Sequence, residues 1–276
     1  AQQKDYLKKQ LKLSVRVIGI SNSRTMCFKS DGLDLNDWQN SLSKGEKASM
    51  PLFLEKILSL NLRNAIFVDN TASELVANTY ADYLSKSISV VTCNKIACAA
   101  AYPNYKRLKD LARTYNASFL FETNVGAGLP IIDTLKNLVA SGDEIKEIQA
   151  VLSGSLNFVF NHFNDQTTFH DVVKQAQEEG YTEPDPTIDL SGIDVMRKIL
   201  ILARESGHVM EINDIENNSF LPSESLETSS NEAFFDSLIK YESDFQTMYQ
   251  KAYAKGAKLK YVASFKDGKA SVGLQE

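Results

Sequence analysis

Four short runs of β-branched and apolar residues punctuate the first 122 residues, with helical stretches between them. The runs are Leu13 to Ile20 (LSVRVIGI), Ala65 to Asp69 (AIFVD), Ile88 to Thr92 (ISVVT) and Ser118 to Glu122 (SFLFE). A strand buried on both faces reads as a continuous apolar run, and parallel strands need a crossover between them. The spacers supply it: Leu52 to Leu60, Ser73 to Ser85 and Asn104 to Thr114 have helical character. Ser73 stands as an N-cap ahead of an apolar face made by Leu75, Val76 and Tyr80. Alternating strand and helix predict a Rossmann-like, doubly wound parallel sheet. Such a sheet normally opens with a strand and a G-x-G-x-x-G turn that brings backbone N–H groups against a pyrophosphate. Nothing of that kind precedes Leu13, and Ala1 to Leu11 reads as the amphipathic helix that would follow it. The expectation is a sheet whose first strand and glycine-rich turn are missing.

The second half changes character and predicts an α+β domain. Ile145 to Leu152 reads as a strand, with helices at Phe169 to Glu179 and Leu190 to Ser206. Asn231 to Lys255 has the pattern of one long helix closed by Gly256. Leu259 to Phe265 and Ala270 to Gly273 flank Lys266-Asp267-Gly268, an Asp-Gly hairpin signal. The boundary falls near Gly126, giving a truncated nucleotide-binding domain over 1–126 and a catalytic or dimerisation domain over 127–276.

Composition removes several classes. The net charge of -5 excludes a broad nucleic-acid surface, which needs clustered Lys and Arg. The basic run Lys251 to Lys260 reads as a solvated helix end followed by a strand. No apolar run reaches the roughly 18 residues of a membrane span, and no signal peptide opens the chain, so a cytoplasmic protein is expected. Cys27, Cys93 and Cys98 are expected to be free buried thiols, and their spacing with His162, His170 and His208 matches no zinc motif.

Chemistry concentrates in Gly180-Tyr-Thr-Glu-Pro-Asp-Pro-Thr-Ile-Asp-Leu-Ser-Gly-Ile-Asp-Val-Met-Arg-Lys198. Two prolines stiffen the segment around Glu183 and Asp185, because each restricts itself and its predecessor. Asp189 sits where the N-cap of the next helix is expected. Asp194 and Lys198 are i,i+4 on that helix and share a face. Ile193, Met196 and Leu200 form one apolar stripe while Ile199, Ile201 and Leu202 cover other sides, so the helix is expected to be buried. A lysine and an aspartate there must be paired. On the residues alone a structural ion pair and a proton-transfer pair are equally open.

Four further stretches qualify. Phe121 to Pro130 (FETNVGAGLP) joins a strand to a helix over Ile131 to Val139, and its Glu122 with nearby carbonyls could hold a hard cation. A plain strand-to-helix turn is the better reading of that glycine pair alone. Asp69-Asn-Thr-Ala-Ser73 and Thr92-Cys-Asn-Lys95 lie beyond the ends of predicted parallel strands, where open sheets bind ligands. Ser21-Asn-Ser-Arg24 offers Ser23 and Arg24 where an NAD site usually has an acid, which leans towards the 2′-phosphate of NADP.

Together, the Gly180 to Lys198 motif, Thr123-Asn-Val-Gly-Ala-Gly-Leu-Pro130 and Cys93-Asn-Lys95 resemble homoserine dehydrogenase over nearly the whole chain. Asn124 to Glu144 is most like the enzymes fused to aspartokinase. The resemblance implies NAD(P)H-dependent interconversion of aspartate 4-semialdehyde and homoserine, on the route to threonine and methionine, in a homodimer or higher homo-oligomer. It implies Lys198 as acid/base, with Glu183, Asp194 and Asp189 as acidic residues of the substrate site. Lys95 falls near both cofactor and substrate, and Thr71, Cys93 and Gly180 line the nicotinamide cofactor. Glu122 with the backbone of Val125, Ala127 and Leu129 matches a sodium site. The family's glycine-rich turn, closing segment and kinase residues do not appear, so weak or no activity is expected of this chain alone. The alternative is an inactive dimerisation or regulatory scaffold.

Overall fold

The computed structural model describes residues 2–276. Helix α1 (Lys4–Lys9) opens the chain and buries none of its side chains. An antiparallel sheet follows, in the order β1 (Gly19–Ser21), β2 (Thr25–Phe28), β3 (Glu46–Lys47), with helix α2 (Trp38–Ser43) between the last two. Helix α3 (Met50–Ser59), N-capped by Ser49, leads to β4 (Ile66–Asp69). Helices α4 (Glu74–Ala77) and α5 (Tyr80–Leu84) cross over to β5 (Ser89–Thr92). Helices α6 (Ile96–Ala99) and α7 (Tyr102–Thr114) cross over to β6 (Phe119–Leu120). Strands β4, β5 and β6 form the expected parallel sheet.

A 3-10 turn at Glu122–Asn124 and helix α8 (Ile131–Ala140) carry the chain into a second, mixed sheet. Its strands are β7 (Glu147–Ala150), β8 (Ile215–Asn218), β9 (Lys260–Lys266) and β10 (Lys269–Gln275), in the spatial order β7-β9-β10-β8. Only β8–β10 is parallel. Asp267 and Gly268 both have positive φ, +49° and +76°, as the tight turn joining β9 to β10 requires. Helices α9 (Gly154–His162), α10 (Phe169–Glu178), α11 (Pro186–Leu190), α12 (Ile193–Glu205), α13 (Ser223–Leu226), α14 (Asn231–Lys240) and α15 (Glu242–Ala254) complete this unit.

Several expectations give way to local chemistry. Leu13 to Ile20 is no buried parallel strand. Asn22 Oδ1 accepts the amides of Arg24 and Thr25, folding the chain into the β1–β2 hairpin, and Leu13 and Val15 stay 53% and 64% exposed. The Ser73 to Ser85 helix breaks in two, because the Thr79 hydroxyl takes the carbonyl of Val76. The long helix breaks at Tyr241, whose hydroxyl, with Lys240, is drawn to Glu224. Asp185 rather than Asp189 is the N-cap, since Pro186 sets the first helical position of α11, and Asp189 lies within that helix. Gly192 then starts α12 with φ +78°, where a Cβ would collide with the Tyr261 hydroxyl.

Helix α12 joins the two units. Residues Val195 and Ile199 to Glu205 are buried, as expected, but Ile193 is 46% exposed, so the predicted apolar stripe does not extend to the first turn. The Arg204 side chain has no exposed surface. Its Nη1 donates to the carbonyls of Cys98 and Ala100 at 2.8 and 2.7 Å. Nε and Nη2 donate to Met210 O, and Nη2 also reaches Glu211 at 3.1 Å. All five guanidinium N–H groups are thereby used. Glu205 beside it accepts from Tyr105 and from Lys109 at 2.9 Å, both on α7. Leaving a buried acceptor unsatisfied costs about 1–3 kcal/mol, and without Arg204 the carbonyls of Cys98, Ala100 and Met210 lose their donor. Arg204→Ala is therefore expected to lower unfolding free energy by about 3 kcal/mol or more, measured by urea denaturation. A loss under about 1 kcal/mol would show the clamp to be dispensable.

Candidate functional site

The first turns of α12 carry the charged centre. Lys198 Nζ lies 2.7 Å from Asp194 Oδ2, the i,i+4 pair that the spacing predicts. The same ammonium donates to Leu152 O at 2.6 Å, at the junction of β7 and α9. Lys95, at the N-cap of α6 in the other unit, brings its Nζ to 3.4 Å from Asp194 Oδ1. Asp194 therefore takes a cation on each oxygen, one from each unit. Burial raises its carboxyl, but the hydrogen bond and charge of Lys198, with Lys95 behind them, outweigh that and hold it below the usual carboxylate range.

The Gly180 to Asp189 segment is held beside this centre. Gly180, with φ +76°, follows the C-cap of α10 in the left-handed conformation that ends helices. The Pro184 carbonyl accepts amide hydrogens from Gln177 and Asn231 at 2.8 and 2.7 Å. Asp189 binds in two directions: Oδ2 accepts the Glu183 N–H at 2.8 Å and Oδ1 accepts the Ser155 hydroxyl at 2.9 Å. Ser155 has one hydroxyl hydrogen, so Ser153, 2.9 Å away, donates to it while capping α9 through the Leu156 amide. Ser153, Ser155 and the Leu152 carbonyl were not among the predicted site residues. The signal available for them was Leu-Ser-Gly-Ser at a strand-to-helix junction. Glu183 itself is exposed, and its backbone rather than its carboxylate is tied down.

Thr71 and Cys93 lie exposed just past the ends of β4 and β5. Beneath them Asp69, Tyr80, Thr92 and Asn94 form a buried polar cluster. Of the three thiols only Cys98 is buried, against expectation, and burial pushes it up so that it stays protonated. Ser23 and Arg24 occupy the exposed β1–β2 turn, outside the Lys95–Asp194–Lys198 cluster. Both Glu122 oxygens accept amide hydrogens at the start of α8, from Ile132 and Asp133 at 2.8 Å each. The Leu129 carbonyl accepts from Ile131 at 2.9 Å. Among the described residues no group of three or more His, Cys, Asp or Glu is placed to hold a metal. A hollow of about 620 Å³ lies between α3 and α5 and is lined by none of these residues.

A parallel sheet whose loops present a lysine to a carboxylate–lysine pair on a second unit is the layout of a two-unit α/β nucleotide-binding protein. Residues 2–122 match the family model for the homoserine dehydrogenase NAD binding domain, and residues 130–276 match that for homoserine dehydrogenase. The bifunctional aspartokinase/homoserine dehydrogenase of Haemophilus influenzae is 41% identical over 99% of this chain, which spans 33% of that protein. Homoserine dehydrogenase of Schizosaccharomyces pombe is 38% identical over 90% of this chain and 68% of its own length. A crystal structure of a Candida auris protein of unknown function is 31% identical, with a TM-score of 0.90 over 99% of this chain and 78% of that one. The chain belongs to the homoserine dehydrogenase family. No described helix is long and apolar enough to cross a membrane.

The geometry generates a pH prediction. A carboxyl whose native pKa lies below its unfolded value, about 3.9 for aspartate, stabilises the fold above that value. The contribution is lost as pH falls through the native value. Asp194→Asn is therefore expected to destabilise the protein at pH 7 and progressively less below about pH 4. Urea midpoints of both proteins at pH 7 and pH 3 check this, and an equal loss at both would exclude the ionised carboxylate as the cause.

Proposed function

We propose that this chain interconverts L-aspartate 4-semialdehyde and L-homoserine with NADPH, NADH being the second choice. Residues 1–126 carry the cofactor unit and 127–276 the substrate unit, in a homodimer or higher homo-oligomer. The observation that carries the reading is the lysine at the centre of the site. An ammonium has three N–H donors, and Lys198 uses one on Leu152 O and one on Asp194. The third is left for a substrate oxygen.

The nicotinamide, when bound, supplies or takes the hydride. The chain's own residues do the rest. In the reducing direction negative charge grows on the aldehyde oxygen, and Lys198 both stabilises that charge and delivers the proton to it. Lys198 then recovers a proton from water; in the oxidising direction it first gives a proton to water and then, as the neutral amine, takes the hydroxyl proton. Asp194 keeps Lys198 and Lys95 at fixed positions, so neither must be reoriented during the reaction. Glu183 supplies the negative charge that orients the substrate ammonium, and Asp189 fixes Glu183 through its backbone. Thr71 and Cys93 fit a cofactor because they are exposed just past the ends of the parallel strands, and Gly180, exposed after α10, has open space where a Cβ would stand. Arg24, exposed in its turn, takes the 2′-phosphate with Ser23. Glu122 and the carbonyls of Val125, Ala127 and Leu129 supply only hard oxygen donors, the set that suits sodium. A scaffold without catalysis is the less favoured reading, since it gives no use to the Lys95–Asp194–Lys198 cluster.

NADPH oxidation with aspartate semialdehyde, followed by absorbance, tests the reading. Lys198→Ala is expected to lower kcat by about 10²–10⁴-fold, the usual contribution of a positioned acid. Normal turnover in that variant would remove Lys198 from the chemistry. Arg24→Ala should raise the KM for NADPH and leave that for NADH nearly unchanged. Equal effects on both would eliminate the 2′-phosphate contact.

A further inference from the structure

We infer that Asp69 is a positioning residue for the reaction proposed above, on which this inference rests, locking the two loops that present Thr71 and Lys95. Its carboxylate is 1% exposed and has no cation within 4.0 Å among the described residues. It is satisfied by three donors instead. Oδ1 accepts the Thr71 N–H at 2.7 Å. Oδ2 accepts the Tyr80 hydroxyl at 2.5 Å and the Asn94 side-chain amide at 3.1 Å. The cluster closes on itself without an unpaired group. Tyr80 has a single hydrogen and gives it to Asp69, so Thr92 Oγ1, 2.8 Å away, must donate to the Tyr80 oxygen. Thr92 Oγ1 in turn accepts the Asn94 N–H at 2.8 Å. Burial, then Asp69, pushes the Tyr80 phenol up, so it remains a donor.

The outputs of the cluster all run towards the loops. Asn94 Nδ2 also donates to Ser73 O at 3.0 Å, and Asn94 Oδ1 accepts the Ile96 N–H at 3.1 Å, fixing the start of α6 on either side of Lys95. The Asp69 carbonyl accepts the Cys93 N–H at 3.1 Å. A buried anion with no cation is an expensive way to join two strands, and apolar side chains of the same volume would join them as well or better. What such a cluster supplies is geometry. Three donors on one acceptor-only group set the distance between the Asp69–Ser73 turn and the Thr92–Ile96 turn. That distance determines whether Lys95 meets Asp194.

Asp69→Asn keeps the shape but makes one oxygen a donor, facing either the Thr71 amide or the Tyr80 and Asn94 donors. In the ligand-free full chain, hydrogen exchange at the Thr71 and Asn94 amides is expected to rise by about tenfold or more, as for loss of a charge-assisted bond, with α12 amides unchanged. Tyr80→Phe keeps the ring packing against Phe67 and Phe119 and removes one donor, so a smaller rise at the same amides is expected. In the assay the KM for NADPH should rise about tenfold in Asp69→Asn. Adding Lys95→Ala should then cost less than Lys95→Ala does alone, because the two act through one loop. Unchanged exchange in both variants, or strictly additive losses, would overturn the inference. If the unsubstituted chain does not oxidise NADPH with the semialdehyde, the dehydrogenase reading fails separately, and the exchange data still decide the role of Asp69.

Discussion

Everything in the site depends on a guanidinium that never meets water. Arg204 spends its donors on carbonyls from the α6–α7 junction and from the loop after its own helix, and on Glu211, and its central carbon lies 5.2 Å from the centre of the Tyr105 ring. Lys95 begins α6, and Asp194 begins the helix that Arg204 nearly ends. Arg204 thus holds the helices that carry Lys95 and Asp194 against each other, about one turn from Lys95 and about three from Asp194, while Asp69 orients the loop that presents Lys95. A lysine could not substitute, since three donors on a flexible stem cannot satisfy what five in a rigid plane do.

The carboxylate at the front of α12 has a different task from the carboxylates behind it. Asp194 holds two cations and is depressed by them, whereas Asp69 holds only neutral donors, and Asp189 connects a serine to a main-chain amide. Three aspartates thus do three jobs, distinguished by partner rather than by residue type. One carries charge across the site, one spaces two loops, and one ties the proline-rich segment to the β7–α9 junction.

Much of this was legible in the chain. Strands at 66–69 and 89–92 announce themselves as β-branched, apolar runs, although only alternate residues of each are buried, Phe67 and Asp69 in β4 and Val90 and Thr92 in β5. The i,i+4 relation of Asp194 and Lys198 follows from helix geometry alone. Leu13 to Ile20 misleads because an apolar run does not say which neighbour it will take, and the Asn22 turn decided that locally. Asp189 misleads because Asp185, four residues earlier, competes for the same role and has the proline. Ser153, Ser155 and the Leu152 carbonyl were invisible because their importance comes from what folds against them. The Asp69 cluster lay inside two segments already singled out, but its closure needs Tyr80, which reads as an ordinary apolar face residue.

One feature of the first unit bears on how the protein behaves in company. Strand β4 pairs only with β5 among the described residues, and it carries Ile66 and Val68 at 60% and 54% exposure. A strand edge with free N–H and C=O groups beside β-branched side chains is a template for any other extended segment. No proline or lysine within β4 blunts it. This edge of the sheet is therefore where a further extended segment would add by main-chain pairing, with no change needed at the Arg204 clamp.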